Sequence, residues 1–341
     1  MVICGIKRRN TNNMNKKFSY LSLPILILYF QKRRLSIIIY LMRIIVTGGA
    51  GFIGSYVVDL YVKEGHTVLV IDNLSTGRIE NVNKDAYFEK VDLREREKLI
   101  KLVNSFKPDI VNHHAFISSV RVSEEKPEEF LINTLSSSLN ILEVSKKYIS
   151  QFIFASSAAV YGEGKVPFRE TDRENPINPY GISKLTVEKM VKYYSKKFKF
   201  KHTILRYSNV YGPRQIPVGE SGVVAIFMEK ITKNKPITIF GDGTNTRDFI
   251  FVEDVAEANV ISLGMEGTFN ISTGIETSIA ELAQKIEKVW GRKVEKIFLK
   301  KENGVKRNSL DPTLSNKMLG FSFKTPLIDG IKKTLEYYEK I

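Results

Sequence analysis

From residue 42 onward, short apolar runs alternate with longer stretches whose apolar positions recur every three or four residues. The runs fall at 43–46, 66–71, 87–91, 109–112, 151–155 and 202–206. Runs that short, with apolar residues at consecutive positions, predict strands buried on both faces, as in a parallel sheet. Between them, 52–63, 94–105, 127–148 and 180–198 carry helical periodicity. Strand and helix in alternation predict a doubly wound α/β domain, its sheet covered by helices on both sides. The texture changes at Pro236. Shorter elements follow, separated by Gly241, Gly243, Gly264, Gly267 and Gly274, and then helical stretches at 278–290 and 326–340. Residues 42–235 therefore read as the main domain and 236–341 mainly as a smaller C-terminal α/β domain for substrate, with the binding cleft expected between them.

Residues 1–41 break the pattern. A polar stretch at 10–17 is followed by an apolar run at 21–30 broken by Pro24, by basic Lys32-Arg33-Arg34, and by a second apolar run at 35–41. Neither apolar run reaches the ~20 residues of a membrane span. Gln31-Lys32-Arg33-Arg34 stands where a signal peptide needs small residues for cleavage. Met42 directly precedes the first strand, so we read 1–41 as upstream sequence outside the fold. The competing reading is an amphipathic membrane anchor, because cations flank both runs.

Composition narrows the class. Of 341 residues, 43% are hydrophobic and 26% charged, which suits a soluble enzyme and excludes a fibrous or disordered chain. The formal net charge is +15, but residues 1–41 hold eight cations and no acid, leaving +7 on the remainder. Lys196, Lys197, Lys199 and Lys201 close a helix, where cations favour the negative end of the dipole; a nucleic-acid patch is the alternative, and no nucleic-acid partner is expected. Cys4 is the single cysteine and lies outside the alternating pattern, so no disulfide, thiolate metal site or cysteine nucleophile is expected and a cytoplasmic setting fits.

The first strand runs into Thr47-Gly48-Gly49-Ala50-Gly51-Phe52-Ile53-Gly54 and a helix runs out of it. Glycine is needed where the turn is tight and where backbone approaches a pyrophosphate, and the helix N-terminus offers its free N–H groups to the phosphates. A structural glycine turn is the bland reading. Against it, the second strand ends at Asp72, an acid about 20 residues on that would hold the ribose hydroxyls of NAD and repel the extra phosphate of NADP.

Tyr180-Gly181-Ile182-Ser183-Lys184 puts a phenol and an ammonium on one face at the start of a helix. Such a pair is often only a surface contact. A nearby cation nevertheless stabilises phenolate, so Lys184 and a bound NAD cation are expected to lower the phenol's pKa and let Tyr180 act as a base. Ser156-Ser157-Ala158-Ala159-Val160-Tyr161-Gly162 begins where a strand ends, at the carboxyl edge where doubly wound folds bind ligands. Ser157 is thereby expected to bond the same substrate oxygen.

With these motifs in order the chain resembles the extended short-chain dehydrogenases/reductases, and most of all the UDP-glucose 4-epimerases. The resemblance runs through Asp72-Asn73-Leu74-Ser75, Asp92-Leu93-Arg94, His113-His114-Ala115, Arg206-Tyr207-Ser208-Asn209 and Thr246-Arg247-Asp248-Phe249. It implies a Rossmann domain binding NAD and catalysis by Ser157, Tyr180 and Lys184. Cofactor contacts would come from Gly48, Gly51, Phe52, Ile53, Gly54, Asp72, Asn73, Asp92, Leu93, Ala115, Tyr180, Lys184 and Tyr207. Substrate contacts would come from Ser119, Ser157, Tyr180, Asn209, Phe240, Arg247 and Lys301. Similar dehydratases and decarboxylases carry an acid after the catalytic hydroxyl; here Ala158 and Ala159 stand there. The implied reaction is oxidation of a UDP-hexose at C4, rotation of the 4-keto sugar, and return of the hydride to its other face, with Ser118, Ser119, Ala158 and Ala159 leaving the hexose room.

Three departures stand out. Phe116 occupies a position that is small in relatives, so it either packs away from NAD or alters its binding. The helix is one residue longer within Ser136-Ser137-Ser138, which puts a cofactor role for Asn133 in doubt. Lys301 replaces an arginine that would clamp the diphosphate, and lysine lacks the bidentate fork. The resemblance also implies a homodimer through the helices at 127–148 and 180–198, with Leu131, Leu135, Leu139, Leu142, Leu185, Met190, Tyr193 and Tyr194 as their apolar positions. The rival readings are an epimerase of UDP-N-acetylhexosamines or UDP-uronic acids, and a non-catalytic dinucleotide-fold binding protein.

Overall fold

The computed structural model describes residues 25–27, 38–117, 119–217, 222–300 and 305–340. Cys4, Ser118, Lys301 and most of 1–41 lie outside the described residues. The strands in chain order are β1 (Ile25–Ile27), β2 (Ile38–Tyr40), β3 (Arg43–Thr47), β4 (Thr67–Asp72), β5 (Tyr87–Lys90), β6 (Ile110–His113), β7 (Gln151–Ser157), β8 (Lys201–Tyr207), β9 (Asn209–Tyr211), β10 (Ile237–Phe240), β11 (Thr246–Phe251), β12 (Gly267–Ile271), β13 (Glu276–Ser278), β14 (Lys296–Leu299) and β15 (Arg307–Asn308). The helices are α1 (Phe52–Lys63), α2 (Arg96–Phe106), α3 (Val120–Glu125), α4 (Pro127–Ser145), α5 (Pro179–Phe198), α6 (Val223–Thr232), α7 (Val252–Ile261), α8 (Ile279–Trp290), α9 (Thr313–Leu319) and α10 (Leu327–Tyr338).

Seven strands pair in parallel in the order β12-β8-β7-β6-β3-β4-β5. Their apolar runs are buried on both sides because successive residues face opposite layers, except at the edge strand β5, where Tyr87 to Glu89 are only half-buried and Lys90 is exposed. Ile45, Leu69, Ile71, Val111, Phe152 and Phe154 join the layer under α2, α4 and α5. Ile44, Val46, Val68, Val70, Ile110 and Ile153 join the opposite layer, under α1 and α7. Strand order reverses between β3 and β6, which opens a crevice at their carboxyl ends. The predicted α/β doubly wound sheet is therefore observed.

Element ends moved for local reasons. The first turn of α5 includes Pro179, whose missing N–H is no loss there, and Asn178 caps the helix by accepting from the Gly181 N–H at 2.8 Å. At α2 the start is delayed to Arg96 because Asp92 first folds back to accept from the Arg94 N–H at 2.9 Å. The predicted helix at 127–148 stops at Ser145.

A second apolar cluster unites α6, α8 and α10 with β10 and β11. It begins before residue 236, at Tyr211, while β12 and α7 from beyond 236 return to the main sheet and its flank. Both bodies thus draw on residues from either side of that position. Their junction is held by Asp248 on β11, fully buried, which accepts from the Thr273 N–H at 3.1 Å, the Thr273 hydroxyl at 2.7 Å and the Gly274 N–H at 2.9 Å. Among the described residues no helix is long and apolar enough to cross a membrane.

Removing that carboxylate leaves the Thr273 N–H and hydroxyl and the Gly274 N–H, all in part-buried bonds, without their acceptor. Asp248→Ala is expected to cost on the order of 3 kcal/mol, the scale of buried donors left unsatisfied, and urea denaturation checks it. A loss within about 0.5 kcal/mol, the range of surface changes, would remove Asp248 from this role.

Candidate active site

The glycine turn is dictated by backbone contact. Gly48 has φ +70°, and a Cβ there would lie 2.7 Å from the Ala115 nitrogen, while one on Gly54 would collide with the Gly48 carbonyl oxygen. These contacts bring β3, α1 and the loop after β6 together at the crevice. Gly51 caps α1 without any side-chain hydrogen bond, so the first helical N–H groups have no side-chain cap and suit a pyrophosphate. Phe52 and Ile53 begin that helix.

Asp72 at the end of β4 is 8% exposed and its orientation is set by the turn itself: it accepts from the Ala50 N–H at 3.1 Å and the Leu74 N–H at 2.8 Å. Its carboxylate thus stands at the edge of the glycine loop, as a ribose partner must. Next to it, Asn73 donates to Asp92 at 2.9 Å. Hydrogen bonds from the Arg94 side chain hold the Asp92 carboxyl well below the usual range, and Arg94 also donates to Asn133 at 2.7 Å. Asn133 is therefore occupied in bracing the Asp92 corner. Leu93 is buried in the core and its carbonyl accepts from Asn140. The Ala115 N–H donates to the Thr47 hydroxyl, which fixes the loop after β6. Tyr207 is buried against His114 and its hydroxyl is paired with Asn259.

Ser157 and Tyr180 meet at the end of β7. The Ser157 hydroxyl oxygen accepts from the Ala159 N–H at 3.2 Å and the hydroxyl hydrogen-bonds the Tyr180 phenol. Close approach requires Gly181, since a Cβ there would lie 2.5 Å from the Ala159 carbonyl oxygen. Ser123, for which the sequence carries no signal, is fully buried and accepts from the Tyr180 N–H at 3.2 Å.

The electrostatics differ from the expected pair. Burial raises the Tyr180 pKa, and it is the Ser157 hydrogen bond that opposes this rise. Lys184 lies 5.8 Å from the Tyr180 ring centroid and donates instead to the Ala155 carbonyl at 2.6 Å. Phe116 packs inward on His113 and Phe154 and covers the ammonium, its ring centroid 3.4 Å away. Burial brings the Lys184 pKa down to about 7, against the opposing pull of Glu188. His114, half-buried beside it, is pushed by desolvation down to about 3 and stays neutral.

Of the residues expected on the substrate side, Asn209, Phe240 and Arg247 sit on the second body and its junction. Asn209 lies on β9 in register with Phe249 of β11. Phe240 ends β10 with its side chain 46% exposed, large for an aromatic of that size. Arg247 is flanked on β11 by Thr277 and Asn308 and donates to the Thr246 carbonyl at 2.8 Å. Ser119 caps α3, accepting from the Val122 N–H. Among the described residues no cluster of His, Cys, Asp and Glu suits a metal ion.

A family profile matches residues 44–272, that of the NAD dependent epimerase/dehydratase family. The chain belongs to this family. NAD is accordingly its cofactor, and the glycine turn, the uncapped start of α1 and Asp72 fit that group. The chain is 37% identical over 310 residues to a UDP-glucose 4-epimerase of Mycolicibacterium smegmatis, covering 87% of this chain and 98% of that one. Its structure is similar to that of the Thermotoga maritima UDP-glucose 4-epimerase with UDP-glucose, at TM-score 0.85 and 40% identity over 88% of this chain and 99% of the other. The Thermus thermophilus UDP-glucose 4-epimerase, in complex with NAD, follows at TM-score 0.83 and 38% identity, covering 87% and 99%.

Lys184 makes stability depend on pH. Its folded pKa near 7 lies below the ordinary 10.5, so between those values the unfolded chain holds the extra proton and stability from this group rises with pH. Relative to Lys184→Met, which cannot titrate, the wild type is expected to gain stability from pH 7 to 10 in urea melts. A difference independent of pH would mean the lysine is not desolvated.

Proposed function

We propose that the protein interconverts UDP-glucose and UDP-galactose by reversible oxidation at C4 of the hexose. The observation that carries this reading is the Ser157–Tyr180 pair at the carboxyl edge of β7, followed by Ala158 and Ala159 where an eliminating enzyme needs a further acid. Bound NAD supplies the hydride acceptor and, on return, the donor. The chain's own residues handle the proton. Ser157 has its oxygen engaged by the Ala159 N–H, so its hydrogen is directed to the oxygen shared with Tyr180, and the phenolic oxygen exchanges the C4 hydroxyl proton. Asp72 and the turn from Gly48 to Gly54 hold the dinucleotide. Asn209, exposed Phe240, Arg247 and Lys301 are assigned to the uridine diphosphate, and Ser119 to the hexose side. Residues 42–235 supply mainly cofactor and catalytic groups and 236–341 mainly substrate contacts. The setting we assign is cytoplasmic, in galactose metabolism.

Tyr180→Phe deletes a single oxygen, so fold and NAD binding should persist while epimerisation falls by at least ~10²-fold. Product analysis with a panel of UDP-hexoses, UDP-N-acetylhexosamines and UDP-uronic acids reads both the rate and the preferred sugar. A folded Tyr180→Phe protein with near-normal turnover would sink the assignment.

We also assign a homodimer through α4 and α5. Leu142 is buried, and Leu135, Met190 and Tyr194 pack on the protein's own core. What these helices leave outward is Ile132 at 57%, Leu139 at 38%, Ile182 at 44% and Tyr193 at 59% exposure. An apolar face of this kind on two neighbouring helices suits a two-fold four-helix contact. Light scattering at micromolar concentration is expected to show a dimer, and Ile132→Glu with Leu139→Glu a folded monomer. A wild type that is monomeric there rules the dimer out.

A further inference from the structure

Tyr180, Lys184 and Glu188 recur every four residues on α5 and so share one face. Nothing in the proton chemistry above uses Glu188. It is nevertheless fully buried, and it faces Arg206 of β8, the largest fully buried side chain among the described residues. Arg206 Nε donates to Glu188 Oε1 at 2.9 Å and its Nη2 to Oε2 at 2.6 Å, a two-pronged contact. The same guanidinium donates to the Tyr161 hydroxyl at 2.9 Å and to Glu174. Ser156, which lies on the same face of β7 as Phe152 and Phe154, donates to Glu188 Oε1 at 2.5 Å.

A buried ion pair is weak ground for stability, because a well-packed apolar pair of similar volume often does as well. What an apolar pair lacks is direction. This cluster ties together the neighbour of Ser157 on β7, the helix bearing Tyr180 and Lys184, and, through Tyr161, the end of the short turn containing Ala158 and Ala159. We propose that Glu188, anchored by Arg206, is a positioning residue that sets the spacing of Ser157 and Tyr180 by gripping Ser156. The proposal rests on the epimerase reading.

If so, loosening the grip should lower kcat and leave substrate affinity alone, since displacements well under 1 Å between reacting groups already cost rate. Ser156→Ala in the NAD-loaded full chain is expected to reduce kcat about tenfold, by the misplacement scale above, with KM and Tm near those of the wild type. Glu188→Gln should reduce kcat further, and adding Ser156→Ala to it should change nothing more, because the serine acts only through that carboxylate. A merely structural role would move Tm and spare kcat. Should Glu188→Gln not fold, Ser156→Ala alone decides: wild-type kcat in that variant overturns the proposal, as do additive losses in the double variant. A wild type that epimerises no UDP-sugar overturns the epimerase reading and this proposal together, whereas wild-type turnover with an unaffected Ser156→Ala overturns this proposal only.

Discussion

The site depends on how closely α5 lies against the end of β7. That approach exists because residue 181 has no side chain; any Cβ would stand 2.5 Å from the Ala159 carbonyl oxygen and 2.9 Å from Pro176. Asn178 and Pro179 start the helix at the point where this contact begins, and the Lys184 ammonium closes it one turn later on the Ala155 carbonyl. Ser123 adds a tether from α3 to the Tyr180 N–H. Serine and phenol meet because two elements are pinned at several points, not because their own hydrogen bond is strong. A parallel sheet makes this possible by delivering the ends of β3, β6 and β7 to the same edge as the starts of their helices.

Much of this was legible where local chemistry and periodicity agree. The turn from Gly48 to Gly54 announces itself because backbone contact admits only glycine, and α1 was predicted with its observed ends. The apolar runs of β3, β4 and β7 are readable because burial on both faces fills the middle of each strand with apolar residues and leaves polar ones to the ends. What could not be read was set by contacts between distant segments. Asn133 braces Arg94 across 39 positions of sequence, and Asp248 gathers Thr273 and Gly274 from 25 and 26 positions away. Neither pairing leaves a local spacing to notice. The same holds for the boundary at 236, since β12 belongs to a sheet whose other members all lie before it.

Burial, more than charge, governs titration here. Lys184, the cation beside Tyr180 on α5, is enclosed by Phe116, Phe154 and the Ala155 carbonyl. A ring face favours the ammonium through its quadrupole, yet desolvation outweighs it and brings the pKa to about 7. Phe116 is the residue whose effect was hardest to foresee. Its place after Ala115 is plain in the sequence, but the inward turn of its ring, onto the core and over the Lys184 ammonium together, depends on the room left by His113 and Phe154.

The same packing limits what reaction the site can acquire. Ala158 is 4% exposed and sits in a small cluster with Val160, Tyr161, Phe168 and Leu310. A carboxylate at that position would be buried among apolar groups, and the guanidinium bound to Tyr161 of that cluster is already committed: Arg206 is shared by Glu188, Glu174 and Tyr161. An added acid would therefore be held protonated or would disrupt the ion cluster. Elimination of water calls for a proton-transfer group next to Ser157, so a change of chemistry here requires rebuilding the ground beneath the serine and not a single substitution. Restriction to oxidation and reduction at one carbon is in this sense a property of the core.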